Sequence, residues 1–129
     1  MIIGVGLDLI EISRVKKTLE RFPEKFPIRV FTEAERAYCG RFKHPAERYA
    51  ARFAAKEAGM KALGTGLARG VTHRDFEITR APGRAPEMAL HGRAKEIAGK
   101  LGITNIRVTM THSRDTAAAV VIMEKDGVN

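Results

Sequence analysis

PAERYAARFAAKEAGMKALG, residues 45–64, is the stretch on which the fold turns. Pro45 suits the first turn of a helix, where its missing N–H has no partner to lose, and Gly64 suits the stop. At about 100° per residue, Tyr49, Phe53, Met60 and Leu63 share one arc, while Ala51, Ala55, Ala58 and Ala62 share another. A surface helix needs one apolar stripe; two predict a central helix packed on both sides. Three charges interrupt this pattern. Lys56 falls on the apolar arc beside Tyr49, close to Phe53, and Glu57 and Lys61 lie beside Ala50 and Ala54. A charge on a buried face needs a partner. Glu57 and Lys61 are spaced for an i, i+4 ion pair worth about 0.2–0.5 kcal/mol on an exposed helix. The other reading is a metal-binding carboxylate with a lysine one turn away for a phosphate.

Upstream, residues 1–10 form an apolar stretch with weak alternation, the pattern of a strand buried on both faces, carrying Gly4, Gly6 and one acid, Asp8. From Glu11 the spacing changes to Ile12, Val15, Leu19 and Phe22, one face of a helix, so a strand runs straight into a helix. Asp8 is either a cap for that helix or a ligand, since an ionised carboxylate in an apolar strand needs donors or a cation. Gly4 and Gly6 do not begin a dinucleotide-binding fingerprint, because the third glycine would fall on Leu9. Thr32 and Glu35 have capping-box spacing and predict a short helix ending near Phe42.

Downstream, residues 76–80 and 87–90 read as strands joined by the turn-rich Ala81-Pro82-Gly83-Arg84-Ala85-Pro86. Residues 93–101 read as a helix stopped by Gly102, and 106–111 and 117–123 as strands around His112, Ser113, Arg114 and Asp115. The expected fold class is α+β: one domain over residues 1–129, mainly antiparallel sheet with a central buried helix.

The chain's 129 residues, 44% hydrophobic, suffice for one core without metal or disulfide staples. Cys39 has no partner for an internal disulfide, and no opening segment has the build of a signal peptide, so the expected location is cytoplasmic. Charges interrupt every apolar run well short of the ~18–20 residues of a membrane span. The formal charge of +8 draws phosphates, nucleic acid or an acidic protein, an attraction that salt weakens. Aromatics are only 6%, tryptophan is absent, and no groove-reading or finger motif occurs, which argues against nucleic acid. A non-catalytic basic module remains the rival to an enzyme. One cysteine and four scattered histidines give no zinc spacing. His112 and Ser113 point to opposite sides of an extended chain and do not form a base and nucleophile. Gly64, Thr65, Gly66 and Gly70 either end the helix or offer N–H groups to a phosphate.

Three segments, in order, resemble the small bacterial holo-acyl-carrier-protein synthases of the phosphopantetheinyl transferase superfamily. They are residues 4–14, GVGLDLIEISR; residues 31–39, FTEAERAYC; and residues 51–66, ARFAAKEAGMKALGTG, with the superfamily's K-E-A-x-x-K core. The tail THSRDTA, residues 111–117, is similar to the family's S-H-S-R-D-Y-A, with Thr111 and Thr116 as departures. The turn Gly83-Arg84-Ala85-Pro86 resembles a nucleotide-side G-x-P loop but is one residue longer, so its coenzyme A contacts stay unassigned.

The resemblance implies transfer of 4′-phosphopantetheine from coenzyme A to a serine of apo-acyl carrier protein, releasing adenosine 3′,5′-bisphosphate, within fatty acid biosynthesis. A paralogue serving another carrier domain is the alternative. It implies Mg²⁺ held by Asp8 and Glu57, Lys61 neutralising phosphate charge, and Arg52 and His112 holding coenzyme A phosphates. Glu57 or a metal-bound water would take the serine proton. It also implies a homotrimer with active sites at subunit boundaries, and carrier-protein docking on the first helix through Arg14 and, more weakly, Arg21.

Overall fold

The computed structural model describes residues 1–127. β1 (Ile2–Glu11) passes directly into α1 (Ile12–Arg21), followed by α2 (Lys25–Val30), α3 (Glu33–Cys39) and the long α4 (Pro45–Leu63). A 3₁₀ turn at His73–Asp75 leads into β2 (Phe76–Thr79) and β3 (Glu87–Leu90), then α5 (Gly92–Leu101), β4 (Asn105–Ser113) and β5 (Thr116–Glu124). All pairing is antiparallel, in a three-stranded sheet of order β1-β5-β4 and the β2-β3 hairpin. The fold class is α+β, as the sequence predicts.

The centre of the molecule is α4. Pro45 opens it and Gly64, at φ 84°, closes it in the left-handed conformation that glycine adopts without strain. Ala54, Ala55 and Ala58 are wholly buried inside one chain, so the small-residue face is an internal packing surface. A Cβ at Gly4 would collide with the Ala62 carbonyl, and one at Gly6 with the Ala58 carbonyl. The glycines of β1 are therefore where strand backbone lies against helix backbone.

Strand register sorts the sheet into two faces. Toward α4 lie the rows Gly6-Val121-Val108, Asp8-Ala119-Met110 and Ile10-Ala117-His112. Away from it lie Val5-Ile122-Arg107, Leu7-Val120-Thr109 and Leu9-Ala118-Thr111. The expectation that β1 is buried on both faces needs correction: within one chain Val5, Leu7 and Leu9 are 57%, 56% and 64% exposed. Phe22 is likewise exposed, because α1 ends at Arg21 and Phe22 is already in an irregular conformation. Two elements have no counterpart in the sequence reading. One is α2, whose six residues include a proline; the other is the 3₁₀ turn. The capping box at Thr32 and Glu35 forms, although α3 ends at Cys39 rather than near Phe42. Among the described residues no helix is long and apolar enough to cross a membrane.

Candidate active site

β1 descends α4 by one helical turn for every two strand residues, with Gly4 against Ala62 and Gly6 against Ala58. Asp8 shares their face and so comes level with the turn running from Ala54 to Glu57. Lys61 crosses to it: its Nζ donates to Asp8 Oδ1 at 3.0 Å and to the Leu7 carbonyl at 2.9 Å. Asp8 does not cap α1. That task falls to Asp115 in the β4–β5 turn, whose Oδ1 accepts from Ser13 N at 3.2 Å and Oδ2 from Ser13 Oγ at 3.3 Å. The Asp115 carbonyl also accepts from Ile12 N at 2.7 Å. With the cap supplied from elsewhere, the Asp8 carboxylate is left with a cation as its partner.

Among the described residues Glu57 and Lys61 form no i, i+4 pair. Glu57 Oε1 lies 3.4 Å from His73 Nε2, and the His73 ring stacks on Phe53 with centroids 5.3 Å apart. Lys56 turns inward. Its ammonium uses all three protons, on Glu35 Oε1 at 2.7 Å, the Phe76 carbonyl at 2.7 Å and the His73 carbonyl at 3.1 Å. Glu35 is equally satisfied, its Oε1 accepting from Thr32 N and its Oε2 from Ile78 N, both at 2.8 Å. Burial pushes the Lys56 pKa below its usual value, opposed by the Glu35 carboxylate. Neither side chain reaches solvent, so Lys56 holds structure and does not touch substrate.

Arg52 is only 3% exposed, yet among the described residues it forms no ion pair. Its guanidinium lies 4.2 Å over the Tyr38 ring; Arg41 lies 5.1 Å over the same ring, and Arg48 4.2 Å over Phe42. Such a corner favours anions. Beneath it, desolvation pushes the Cys39 thiol up to about 11, against the pull of Arg52. His112 lies on the α4 side of the sheet, its Nε2 3.4 Å from Glu47 Oε2 near the start of α4. Arg14 and Arg21 are exposed two turns apart on α1, which puts them on one side of that helix. A cavity of about 960 Å³ opens between β3, α5 and β4, and its lining includes Arg84 and Pro86 but none of Asp8, Glu57 or Lys61. The acid–lysine cluster is a better guide to the chemistry than that void.

Residues 4–121 match the family model for the 4′-phosphopantetheinyl transferase superfamily. The chain belongs to this superfamily. The matched span includes Asp8, Arg52, Glu57, Lys61 and His112. Among curated relatives, the holo-[acyl-carrier-protein] synthases of Koribacter versatilis and Solibacter usitatus are 45% and 48% identical over 124 residues, covering 96% of this chain and 99% of theirs. The crystal structure of the synthase from Neisseria meningitidis aligns with a TM-score of 0.87 at 32% identity, covering 97% of this chain and all of that one. A structure of the Helicobacter pylori synthase in complex with coenzyme A aligns with a TM-score of 0.82 at 31% identity, over 93% of this chain and 99% of that one.

As a phosphopantetheinyl transferase the chain has a donor set that suits Mg²⁺. Asp8 already holds a cation, the Lys61 ammonium, and Glu57 lies one helical turn from Lys61 on α4. Hard carboxylate oxygens, few in number, suit an ion that keeps water and substrate phosphate oxygens as its other ligands. Among the described residues no three His, Cys, Asp or Glu side chains gather into an all-protein cage. The sequence reading missed three residues that organise this site. Nothing local in the sequence marks Asp115, whose partner Ser13 lies 102 positions away, and Glu35 shows there only the spacing of a cap. His73 carried no local signal at all.

Proposed function

We propose that this transferase moves 4′-phosphopantetheine from coenzyme A to a serine of an acyl carrier protein of fatty acid biosynthesis, in the cytoplasm, releasing adenosine 3′,5′-bisphosphate. The observation that carries the reading is the Asp8–Lys61 pair, which ties β1 to α4 one helical turn from Glu57. Asp8 and Glu57 would hold Mg²⁺, which would neutralise charge on the pyrophosphate. Lys61 is 54% exposed and can turn from Asp8 to the phosphate on which charge develops. Arg52, stacked and without a carboxylate, and His112 serve to hold coenzyme A phosphates. Arg14 and Arg21 face outward on the helix that leaves the site and suit an acidic carrier.

The active assembly in this reading is a homotrimer with sites at subunit boundaries. The row of Val5, Leu7 and Leu9, continued by Ile122 and Val120, is an apolar sheet face of the kind that marks an interface. It supports self-association and agrees with the implied trimer.

The test is incubation with apo-acyl carrier protein, coenzyme A and Mg²⁺, read by intact mass. A gain of one phosphopantetheine on the carrier is expected; its absence overturns the reading. Chelation should stop transfer, and Asp8→Ala or Glu57→Ala should nearly abolish it in folded protein. Full-rate turnover by metal-stripped enzyme would remove Asp8 and Glu57 as metal ligands while leaving the transfer itself standing.

A further inference from the structure

The 3₁₀ turn at His73–Asp75 is held from below and points into the site from above. From below, the buried Lys56 ammonium binds the carbonyls of His73 and Phe76 at 3.1 and 2.7 Å, bracketing the turn. Lys56 is itself fixed by Glu35 at 2.7 Å. From the side, Phe53 stacks against the His73 ring with an interplanar angle of 22°. What remains of the imidazole is its Nε2 edge, 3.4 Å from Glu57 Oε1. An ionised carboxylate has no proton to give, so the hydrogen between them belongs to histidine, and Nε2–H donates. The His73 side chain is 15% exposed, which leaves it little freedom to turn away.

We propose that His73 is a positioning residue for the metal-binding carboxylate: it occupies one side of Glu57 Oε1 and fixes the orientation in which Glu57 meets the cation. This rests on the reading that Glu57 holds a divalent cation. A carboxylate with free rotation must be ordered when the ion binds, whereas one already hydrogen-bonded by a stacked ring presents its remaining lone pairs in a set direction. The succession Glu35, Lys56, His73, Glu57 gives the first lysine of the K-E-A-x-x-K core a task that its complete burial otherwise leaves unexplained. The interior ion pair places the turn, and the turn places the histidine.

The experiment is a Mn²⁺ titration of the full chain at saturating coenzyme A, read by water-proton relaxation, on the parent and on Glu57→Gln, His73→Phe and His73→Gln. His73→Phe keeps an aromatic ring against Phe53 and removes the donor, so Mn²⁺ affinity should fall about tenfold, at the lower end of what loss of a partner outside the metal's own ligands costs. His73→Gln restores an N–H donor and should recover most of that loss, which a purely structural role for the ring would not produce. Coenzyme A affinity should stay at the parent value in both. If Glu57→Gln weakens Mn²⁺ binding while His73→Phe binds as the parent does, the positioning role is wrong and the metal site stands. If Glu57→Gln binds Mn²⁺ like the parent, the metal reading and this proposal both fail.

Discussion

Lys56 and Lys61 belong to the same short motif on the same helix, and their surroundings could hardly differ more. Lys56 is fully buried, with every proton committed to Glu35 and two carbonyls; Lys61 is 54% exposed and leans on Asp8 across open ground. The rotation of the helix between them carries one ammonium into the core and the other to the mouth of the site. A shared motif therefore contains two kinds of constraint, one on folding and one on chemistry. Substitution separates them.

The largest expected effect is at the dry end. Lys56→Ala leaves the Glu35 carboxylate buried without a cation and should cost about 3–5 kcal/mol in urea unfolding, a large part of the stability of a small domain. Lys61→Ala should change stability by less than about 0.5 kcal/mol, as exposed pairs do, while slowing transfer by roughly 10²–10³-fold. Comparable losses of stability in the two variants would erase the distinction.

The two faces of the main sheet repeat the contrast on a larger scale, one pressed on α4 and one bare in the single chain. Leu7→Glu puts a charge in the centre of the bare face and should yield a smaller species in light scattering at unchanged helix content. A mass identical to the parent's would mean that this face is not where copies meet.

Next in size is the tie between the β4–β5 turn and α1. Asp115→Ala removes the cap on the helix that bears Arg14 and should cost about 1 kcal/mol. It should also raise KM for the carrier protein more than KM for coenzyme A. Equal changes in both constants would show that the cap steadies the whole site rather than α1 alone.

The smallest effect concerns Glu77, at the wet margin of the Glu35 cluster. Burial raises its pKa, but hydrogen bonds from Thr32 at 2.6 Å and His91 at 2.9 Å outweigh that and leave it below the usual value of 4.5. Because the folded pKa is the lower one, Glu77 contributes stability above pH 4.5 and loses it as pH falls through the folded value. Glu77→Gln should thus lower Tm slightly at pH 7, with the gap from the parent closing toward pH 3. A gap that persists there would assign the effect to packing.

What the sequence made legible was whatever repeats at short range. The periodicity of residues 45–64, the Thr32–Glu35 spacing and the Gly102 stop lead directly to α4, α3 and the end of α5. Asp8, Glu57 and Lys61 stood out because charge on an apolar arc asks for an explanation, and family resemblance supplied the chemistry. Their actual partners were not legible. Lys61 pairs with Asp8 across 53 positions and Ser13 with Asp115 across 102, and no local pattern encodes such separations. The double burial expected of β1 fails because apolar residues alone do not say what covers them: Val5, Leu7 and Leu9 are as apolar as core residues yet stay exposed in the single chain.

Gly4 and Gly6 make the strand–helix crossing a place defined by missing atoms. Each would bring a new methyl into a main-chain carbonyl, which has no rotamer by which to retreat. The separation between Asp8 and Glu57 is accordingly a backbone dimension, set before any side chain chooses its conformation. Alanine at Gly6 would act like a shim under a hinge: the helix would have to rise, and every group mounted on it would miss its counterpart on the strand by a similar amount. A change of one carbon, far too small to alter charge or hydropathy, would thereby shift Asp8 against both Glu57 and Lys61.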